Sequence, residues 1–559
     1  MVSIRVSNDR ADVVPATAQE AMEIAAAMPA IDPMAIFMRS GAARCRLSAL
    51  TALATVFPPD MHSWDSESVR LAQTGAHRSA AQRELRSKVA AALDAPTRLV
   101  KDYPQAHRLD AHQLDVLAAL SVEGLEGLGL FDEQGTGKTI SCLCGFDFLR
   151  QRGRIDQLLV IAPKSMVETW AEAARQWLPN VQPKVVAGAS GGISNAIASA
   201  EQMLVVTYEA TVRLLSLLQA WASRSGRRTL LVVDESFFVK NPRSERSRAI
   251  ADLRPNCEMA IVACGTPAPN APGDIINQME IADRGTTFQG VAPESAASIE
   301  AALRERAVYL RRLKSEVLPD LPGKTFIEVT VPMALRQAAM YRMLRDELVL
   351  QVRSIDDRLF EQRYTSFLAR RTALLQVCSH PGALDPSYEE LPGKLVAIDS
   401  LLERLLAEGE KAIIWSFYTY TLNTLAERYA RYGVVRVDGT VTDTKERARA
   451  VQRFQSDEAV RVFVGNPAAA GAGLTLTAAR HAIYESLSNQ AAHYLQSLDR
   501  IHRRGQQREV EYHILLADNS IERVEYDRLL LKERRASQLL GDPPVPRLTR
   551  EAFLAELEG

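Results

Sequence analysis

The sequence predicts an α/β protein with two parallel-sheet lobes and helical insertions, preceded by a mainly helical N-terminal region. Three observations carry that expectation. From about residue 101, short β-branched runs (QLLVIAP, EQMLVVTYE, RTLLVVDES, MAIVACGTP) alternate with helical stretches, the pattern of a parallel sheet covered by helices. A second series of the same texture starts near Lys411 with KAIIWSF and runs through YGVVRVDG, RVFVGNP, HAIYESL and EYHILLA. Between them lies a helical stretch from about 333 to 379 that begins ALRQAAMYRMLRDELVLQV.

Taken in order, residues 1–100 show broken helical periodicity, as in TAQEAMEIAAAM and SAAQRELRSKVAAAL, and carry no motif with recognisable chemistry. Residues 101–322 form the first lobe, 323–390 a helical insertion and linker that includes LPDLPGK, 391–540 the second lobe, and 541–559 a tail. A length of 559 residues fits this division, at roughly 150 residues per domain. No repeat of solenoid period interrupts it.

Composition narrows the function. Hydrophobic residues at 47% allow each domain a core and exclude wholesale disorder. Lys+Arg 67 against Asp+Glu 68 leaves a net charge of -1, so nucleic acid would be held by a local basic groove and not by a global field. The opening MVSIRVSNDRADVV lacks the layout of a secretory signal, and no apolar run is long enough to span a membrane. The six cysteines, Cys45, Cys142, Cys144, Cys257, Cys264 and Cys378, have no CxxC or zinc-finger spacing and read as buried thiols. A reduced, soluble, cytoplasmic protein is expected.

Three motifs carry chemistry. Gly135-Thr136-Gly137-Lys138-Thr139 stands between the apolar GLEGLGLF and the helical ISCLCGFDFL. Glycines let backbone amides close around phosphate oxygens, and the following helix N-terminus favours the anion. Lys138 would reach the β- and γ-phosphates and the Thr139 hydroxyl would ligate Mg²⁺. Asp132 occupies the position where the strict phosphate-loop pattern has glycine; taken alone, the pentapeptide also fits a Gly-rich turn before a buried helix. Asp234-Glu235 ends the buried run LLVVDES, where one carboxylate can hold Mg²⁺ and its neighbour orient the attacking water. An isolated acidic pair there is more often a cap. Arg500 and Arg503, in QSLDRIHRRGQ, are expected on one helix face, where two guanidiniums would meet the charge developing on a γ-phosphate. The plainer reading is a solvated basic face. Trp415 and Phe417 read as core, and His502 as holding the arginine helix in place, with proton transfer as the alternative.

In this order the motifs resemble the Swi/Snf-type family of helicase-like ATPases, within helicase superfamily two, over about residues 105 to 540. The resemblance implies two RecA-like lobes. It makes Gln113 in RLDAHQLDVLAAL the adenine-reading glutamine, with His112 where the family has Tyr, and it accounts for Asp132 in DEQGTGKT. Lys164 and Ser165 of APKSMVETWAEAARQW and Thr207 of VVTYEA would touch the DNA backbone. DESFFVKNPRS resembles the DEAH box, and Gly265, Thr266 and Pro267 of CGTPAPN resemble the motif that couples hydrolysis to lobe movement. YLRRLKSEVLPDLPGKT, LLQVCSHPGAL, AGAGLTLTAA with Gly471 and Gly473, and QSLDRIHRRGQ with Gln496 complete the set, the glycines on the nucleotide and Gln496 in coupling. Two departures stand out. Phe237 replaces the DEAH histidine and removes a polar link to the coupling motif, and Ala470-Gly471-Ala472-Gly473 has one glycine fewer than many relatives.

The resemblance implies an ATP-dependent, Mg²⁺-requiring motor that translocates on double-stranded DNA. The rivals are a strand-separating helicase or RNA-directed ATPase of the same superfamily, and a non-catalytic recruitment subunit gated by ATP. Alanine-rich composition suggests a bacterium or its virus, where such motors serve transcription recycling, repair or anti-phage defence beside a nuclease or methylase partner.

Overall fold

The computed structural model describes residues 1–558 except 8–9, 33–34, 47–48, 187–192, 225, 266, 268–271, 290, 292–295, 442–443, 469–473, 488–490 and 538–549. It divides into two compact units: the first holds residues 1–133 and 137–313, the second 134–136, 314–537 and the C-terminal helix Arg550–Glu558.

The first unit opens with a five-stranded mixed sheet built from β1 (Ser3–Ser7), β2 (Arg10–Val14), β3 (Ile36–Phe37), β4 (Ala43–Arg46) and β5 (Ser63–Trp64), in the order β3-β4-β2-β1-β5. Ile4, Ala11 and Val13 face a core shared with Ile24 and Met28 of the helix Ala18–Ile31 and Leu50 and Leu53 of the helix Leu50–Val56. Helices are there as the sequence expected, but the sheet is an addition to a region read as mainly helical. Its strands are two to five residues long and carry arginines on the open face, too short for alternation to stand out from the sequence.

The helix Ser66–Leu93 then runs along the rest of the unit. Small residues along it, Ser68, Ala72, Gly75 and Ser79, are buried; a Cβ on Gly75 would lie 2.2 Å from the Thr51 hydroxyl. Arg86 Nη1 on this helix donates to the carbonyl of Leu303 (2.7 Å), in the last turn of the helix Ala296–Glu305, and to that of Ala307 (2.8 Å) just beyond it.

Next comes the first parallel sheet, with β6 (Gly127–Leu130), β7 (Gln157–Ala162), β8 (Pro183–Val186), β9 (Met203–Thr207), β10 (Thr229–Asp234), β11 (Met259–Ala263) and β12 (Tyr309–Leu310), ordered β12-β6-β11-β10-β7-β9-β8. Strands β6, β7, β9, β10 and β11 are buried from end to end, which is why they read as continuous apolar runs.

The second unit carries a parallel sheet of β13 (Lys324–Val331), β14 (Ala412–Trp415), β15 (Val434–Val437), β16 (Val462–Gly465), β17 (His481–Tyr484) and β18 (Val510–Ala517), ordered β13-β18-β17-β14-β16-β15. Strand β13 lies in the stretch read as helical insertion and linker, and it pairs with β18 along its full length. The second sheet therefore begins before residue 391. The helices Leu335–Arg353 and Asp357–Ser379 follow as an αα-hairpin. The stretch read as a tail ends in the helix Arg550–Glu558, whose Phe553 and Leu557 join Phe360 and Phe367 in one core. Arg371 pairs with both Glu525 and Glu556 beneath it. Trp415 is fully buried, as expected, and all six cysteines are buried free thiols. Among the described residues, no helix is long and apolar enough to cross a membrane.

Candidate nucleotide site

Strands β6, β11 and β10 lie side by side, and their carboxyl ends present the sequence motifs together. The phosphate loop follows β6, Gly265 follows β11, and Asp234 closes β10. Ligands of open parallel sheets bind at such carboxyl ends.

Gly135 (φ 84°) and Gly137 (φ 89°) are both left-handed, a conformation costly for any residue with a Cβ. Gly137 sits just before the helix Lys138–Gln151, so the first amides of that helix face the loop. Lys138 Nζ donates to the carbonyls of Asp132 (2.8 Å) and Glu133 (3.1 Å), folding its charge over the loop. Asp132 accepts from Arg312 Nη1 (3.0 Å), while Arg312 Nη2 holds Asp115 (3.0 Å). Gln113 belongs to the first turn of the helix Ala111–Ser121, its Oε1 accepting the Asp110 amide (3.0 Å). Its Nε2 is buried without a hydrogen-bond partner, and a Cβ on Gly137 would lie 2.5 Å from it. An orphaned donor against a phosphate loop is the observation that fits a nucleotide base here.

Burial pushes the Asp234 carboxyl up, against the Trp170 hydrogen bond and the Lys138 charge. Trp170 Nε1 donates to Oδ2 (2.7 Å), the Glu235 amide to Oδ1 (3.0 Å), and the Tyr208 hydroxyl to the Asp234 carbonyl (2.6 Å). Glu235 has φ 50°, a left-handed backbone at a non-glycine residue, which aims its side chain out of the strand direction.

The described part of CGTPAPN is tied to this carboxylate turn. Ser236 Oγ donates to Gln278 Oε1 (2.6 Å), and Gln278 Nε2 donates to the carbonyls of Pro267 (2.5 Å) and Asp274 (2.7 Å). Arg311 Nη1 donates to the Gly265 carbonyl (2.8 Å). A polar link thus runs from the turn after Asp234 to Pro267 even though Phe237 stands where the histidine would be. It comes from Ser236 and from Gln278 on the helix Ile276–Asp283.

In the second unit the helix Ala491–Leu498 ends before the arginine pair. The Leu498 carbonyl accepts the Tyr512 hydroxyl (2.6 Å) and the Arg500 carbonyl the Leu476 amide (3.0 Å). Arg500 and Arg503 therefore lie in successive turns, and the expected helix face is corrected. Arg500 is buried; Arg503 Nη1 donates to the Leu474 carbonyl (3.2 Å), and burial lowers its pKa against the pull of Asp499. Lys314, itself buried, pairs with Asp499 and donates to the His502 carbonyl (2.9 Å). His502 Nε2 lies 2.8 Å from the Pro322 carbonyl, the bracing role read from the sequence. Gln496 is buried on the helix.

Residues 110–383 match the SNF2-related domain, and residues 393–505 match the helicase conserved C-terminal domain. The chain belongs to the SNF2-related ATPases. This SNF2-related chain is 26% identical over 419 residues to the SWI/SNF-related matrix-associated actin-dependent regulator of chromatin subfamily A-like protein 1 of Xenopus tropicalis, covering 71% of this chain and 41% of that protein. It is 27% identical over 486 residues to the DNA repair and recombination protein RAD54-like of Homo sapiens, covering 75% of this chain and 64% of that one. The Sulfolobus solfataricus SWI2/SNF2 ATPase core in complex with dsDNA aligns at 22% identity and a TM-score of 0.35, over 77% of this chain and 93% of that one. The SNF2-related chain thus spans less than two thirds of the length of these curated relatives.

Within the SNF2-related fold, Lys164 is exposed and Ser165 half-buried in the turn after β7. Thr207 is not. It is buried, and its hydroxyl accepts the Ala210 amide (3.1 Å) as the N-cap of the helix Tyr208–Arg213, so the expected backbone contact is corrected to a cap. Thr139 lies half-buried in the first turn of its helix. Thr266, Gly471 and Gly473 lie outside the described residues. Sequence reasoning missed Trp170, Arg312, Lys314 and Gln278. The first three stand inside stretches that carried the resemblance, WAEAARQW and YLRRLKSEV; Gln278, in IINQMEIAD, gave no signal.

Proposed function

We propose that the chain is an ATP-dependent motor that moves along double-stranded DNA. The observation that carries the reading is the convergence, at the ends of β6, β10 and β11, of a left-handed glycine loop with its lysine, a buried carboxylate and the unsatisfied Gln113 amide. Gln113 is assigned to the base of ATP, and Gly135, Thr136, Gly137 and Lys138 to its phosphates. The Thr139 hydroxyl and Asp234 would hold Mg²⁺, whose charge offsets that of the β- and γ-phosphates. Asp234 suits that role because its buried carboxylate gains from a cation. Glu235 is the base that orients the attacking water and accepts its proton. Gly471 and Gly473 are assigned to nucleotide binding, and Arg500 and Arg503 to the charge that develops on the γ-phosphate.

Lys164 and Ser165 are assigned to DNA phosphates, and Gly265, Thr266, Pro267 and Gln496 to coupling. Phosphate contacts carry no sequence code, so target choice is assigned to residues 1–100. The proposal places any nuclease or methylase partner there too, in repair, transcription recycling or anti-phage defence.

The test is ATP turnover with duplex DNA, single-stranded DNA or RNA, for the native chain and for Glu235→Gln. Duplex should stimulate most, and Glu235→Gln should bind ATP yet stall. Normal turnover by Glu235→Gln would remove the carboxylate assignment, and stimulation by RNA alone would remove DNA as the track.

A further inference from the structure

A cluster of a different kind sits at the amino-terminal ends of the second sheet. His481 starts β17 and is the cross-strand partner of Glu511 on β18; His513 follows two residues later, on the same face of the strand. His481 Nδ1 lies 3.5 Å from Glu511 Oε2, His513 Nε2 3.6 Å from the same oxygen, and the two nitrogens 3.4 Å apart. The three atoms form a nearly equilateral triangle. Its edges exceed ordinary hydrogen-bond lengths of about 2.7–3.2 Å. A tetrahedral ion with bonds of about 2.0–2.1 Å separates its ligands by about 3.3–3.4 Å, close to the spacing found.

The surroundings orient the donors. Arg480 Nη1 holds the other Glu511 oxygen (3.3 Å), leaving Oε2 turned to the imidazoles. Arg480 and Arg508 both pair with Glu410, and Arg404 adds a further positive charge on the His513 side. Both histidines are buried while Glu511 is partly exposed, which gives an approach from solvent.

We propose that His481, Glu511 and His513 bind a divalent transition-metal ion, with zinc the closest chemical match and water in the fourth position. Two imidazoles and one carboxylate suit zinc or a neighbouring borderline ion better than magnesium or calcium. The ion clips β17 to β18, and the inference is independent of the nucleotide site.

The full chain is stripped with a chelator and titrated, without nucleotide or Mg²⁺, with Zn²⁺ by calorimetry and with Co²⁺ by visible absorption. One saturable ion per chain is expected, with the intense visible bands of four-coordinate cobalt and a higher melting temperature in zinc. Glu511→Gln and His513→Gln keep polar side chains of similar size, and each should weaken zinc binding by at least about ten-fold. Circular dichroism and the metal-free melting temperature establish that each variant is folded. Two results overturn the proposal: no saturable zinc binding by the native chain, or unchanged affinity and stoichiometry in both folded variants. Either leaves the triad as a polar packing contact that holds no ion.

Discussion

Gln278→Met is the most informative single change at the nucleotide site. The side chain is fully buried, and methionine has nearly its shape with none of its hydrogen bonds. The change removes the bonds to Ser236 and to the Pro267 and Asp274 carbonyls, leaving a hydroxyl and a carbonyl buried without partners. At about 1–3 kcal/mol per unsatisfied group, the loss is about 2–4 kcal/mol once some relaxation is allowed. In a unit of this size that corresponds to a fall in melting temperature of roughly 3–6 °C. Ser236→Ala strands only Gln278 Oε1 and should cost about 1–2 kcal/mol. Because the two residues share a bond, the double variant should cost less than the sum by about 1 kcal/mol. The assay pairs melting curves with turnover at saturating ATP, with and without duplex DNA, and with ATP affinity. A link that only stabilises would lower both turnover rates together. A link that couples the carboxylate turn to Pro267 would cut the ratio of stimulated to basal rate at a temperature where the variant is folded, with ATP affinity kept. Strict additivity of the two changes, or an unaltered ratio in folded Gln278→Met, would refute the reasoning.

Gly137→Ala should weaken ATP binding and lower stability together, because the new Cβ meets Gln113 Nε2 and the backbone is left-handed; binding of a fluorescent ATP analogue and melting curves check it. Arg503→Ala should reduce DNA-stimulated turnover by about 10³-fold while ATP affinity holds, read by single-turnover kinetics, and Arg503→Lys should rescue poorly for lack of a planar fork. Burial lowers the pKa values of His380, His493 and His502, so below the ordinary histidine value the unfolded chain takes up protons that the folded chain does not. Stability is therefore complete above about pH 6.5 and falls as the pH drops below it, which denaturant titrations at a series of pH values would follow.

The parallel cores were legible because fully buried strands leave continuous β-branched runs that few other environments produce. The phosphate loop and Asp234-Glu235 stood out through their order along the chain, since alone the loop also fits a Gly-rich turn and the acidic pair a cap. Strand β13 was not: KTFIEVTV follows a proline-rich linker and is half exposed, so nothing in it marked a partner far along the chain. The arginine turns were misread because QSLDRIHRRG has helical spacing, and the carbonyls that end the helix are claimed by Tyr512 and Leu476, which lie elsewhere in the sequence. Thr207 gave no sign of its cap because a cap and a ligand contact ask for the same residue type. Gln278 was silent because a polar residue in a helix declares no target until the fold brings one to it.

The pairing of β13 with β18 bears on how the chain comes off the ribosome. Thr325 and Glu509, hydrogen-bonded beside that pairing, are 184 residues apart in sequence. At roughly 5–20 residues per second, β13 waits about 10–40 s after synthesis before its neighbour exists. During that interval its backbone amides and carbonyls are unpaired, and the alternating Phe326, Glu328 and Thr330 are a template for pairing with another nascent chain. A gene fragment cut at residue 505, where the helicase C-terminal match ends, would make the wait permanent and would also bare the edge of β17. Such a fragment should aggregate on expression, whereas one carried through the helix Arg550–Glu558 should close both the sheet and the core around Phe360 and Phe367 and remain soluble.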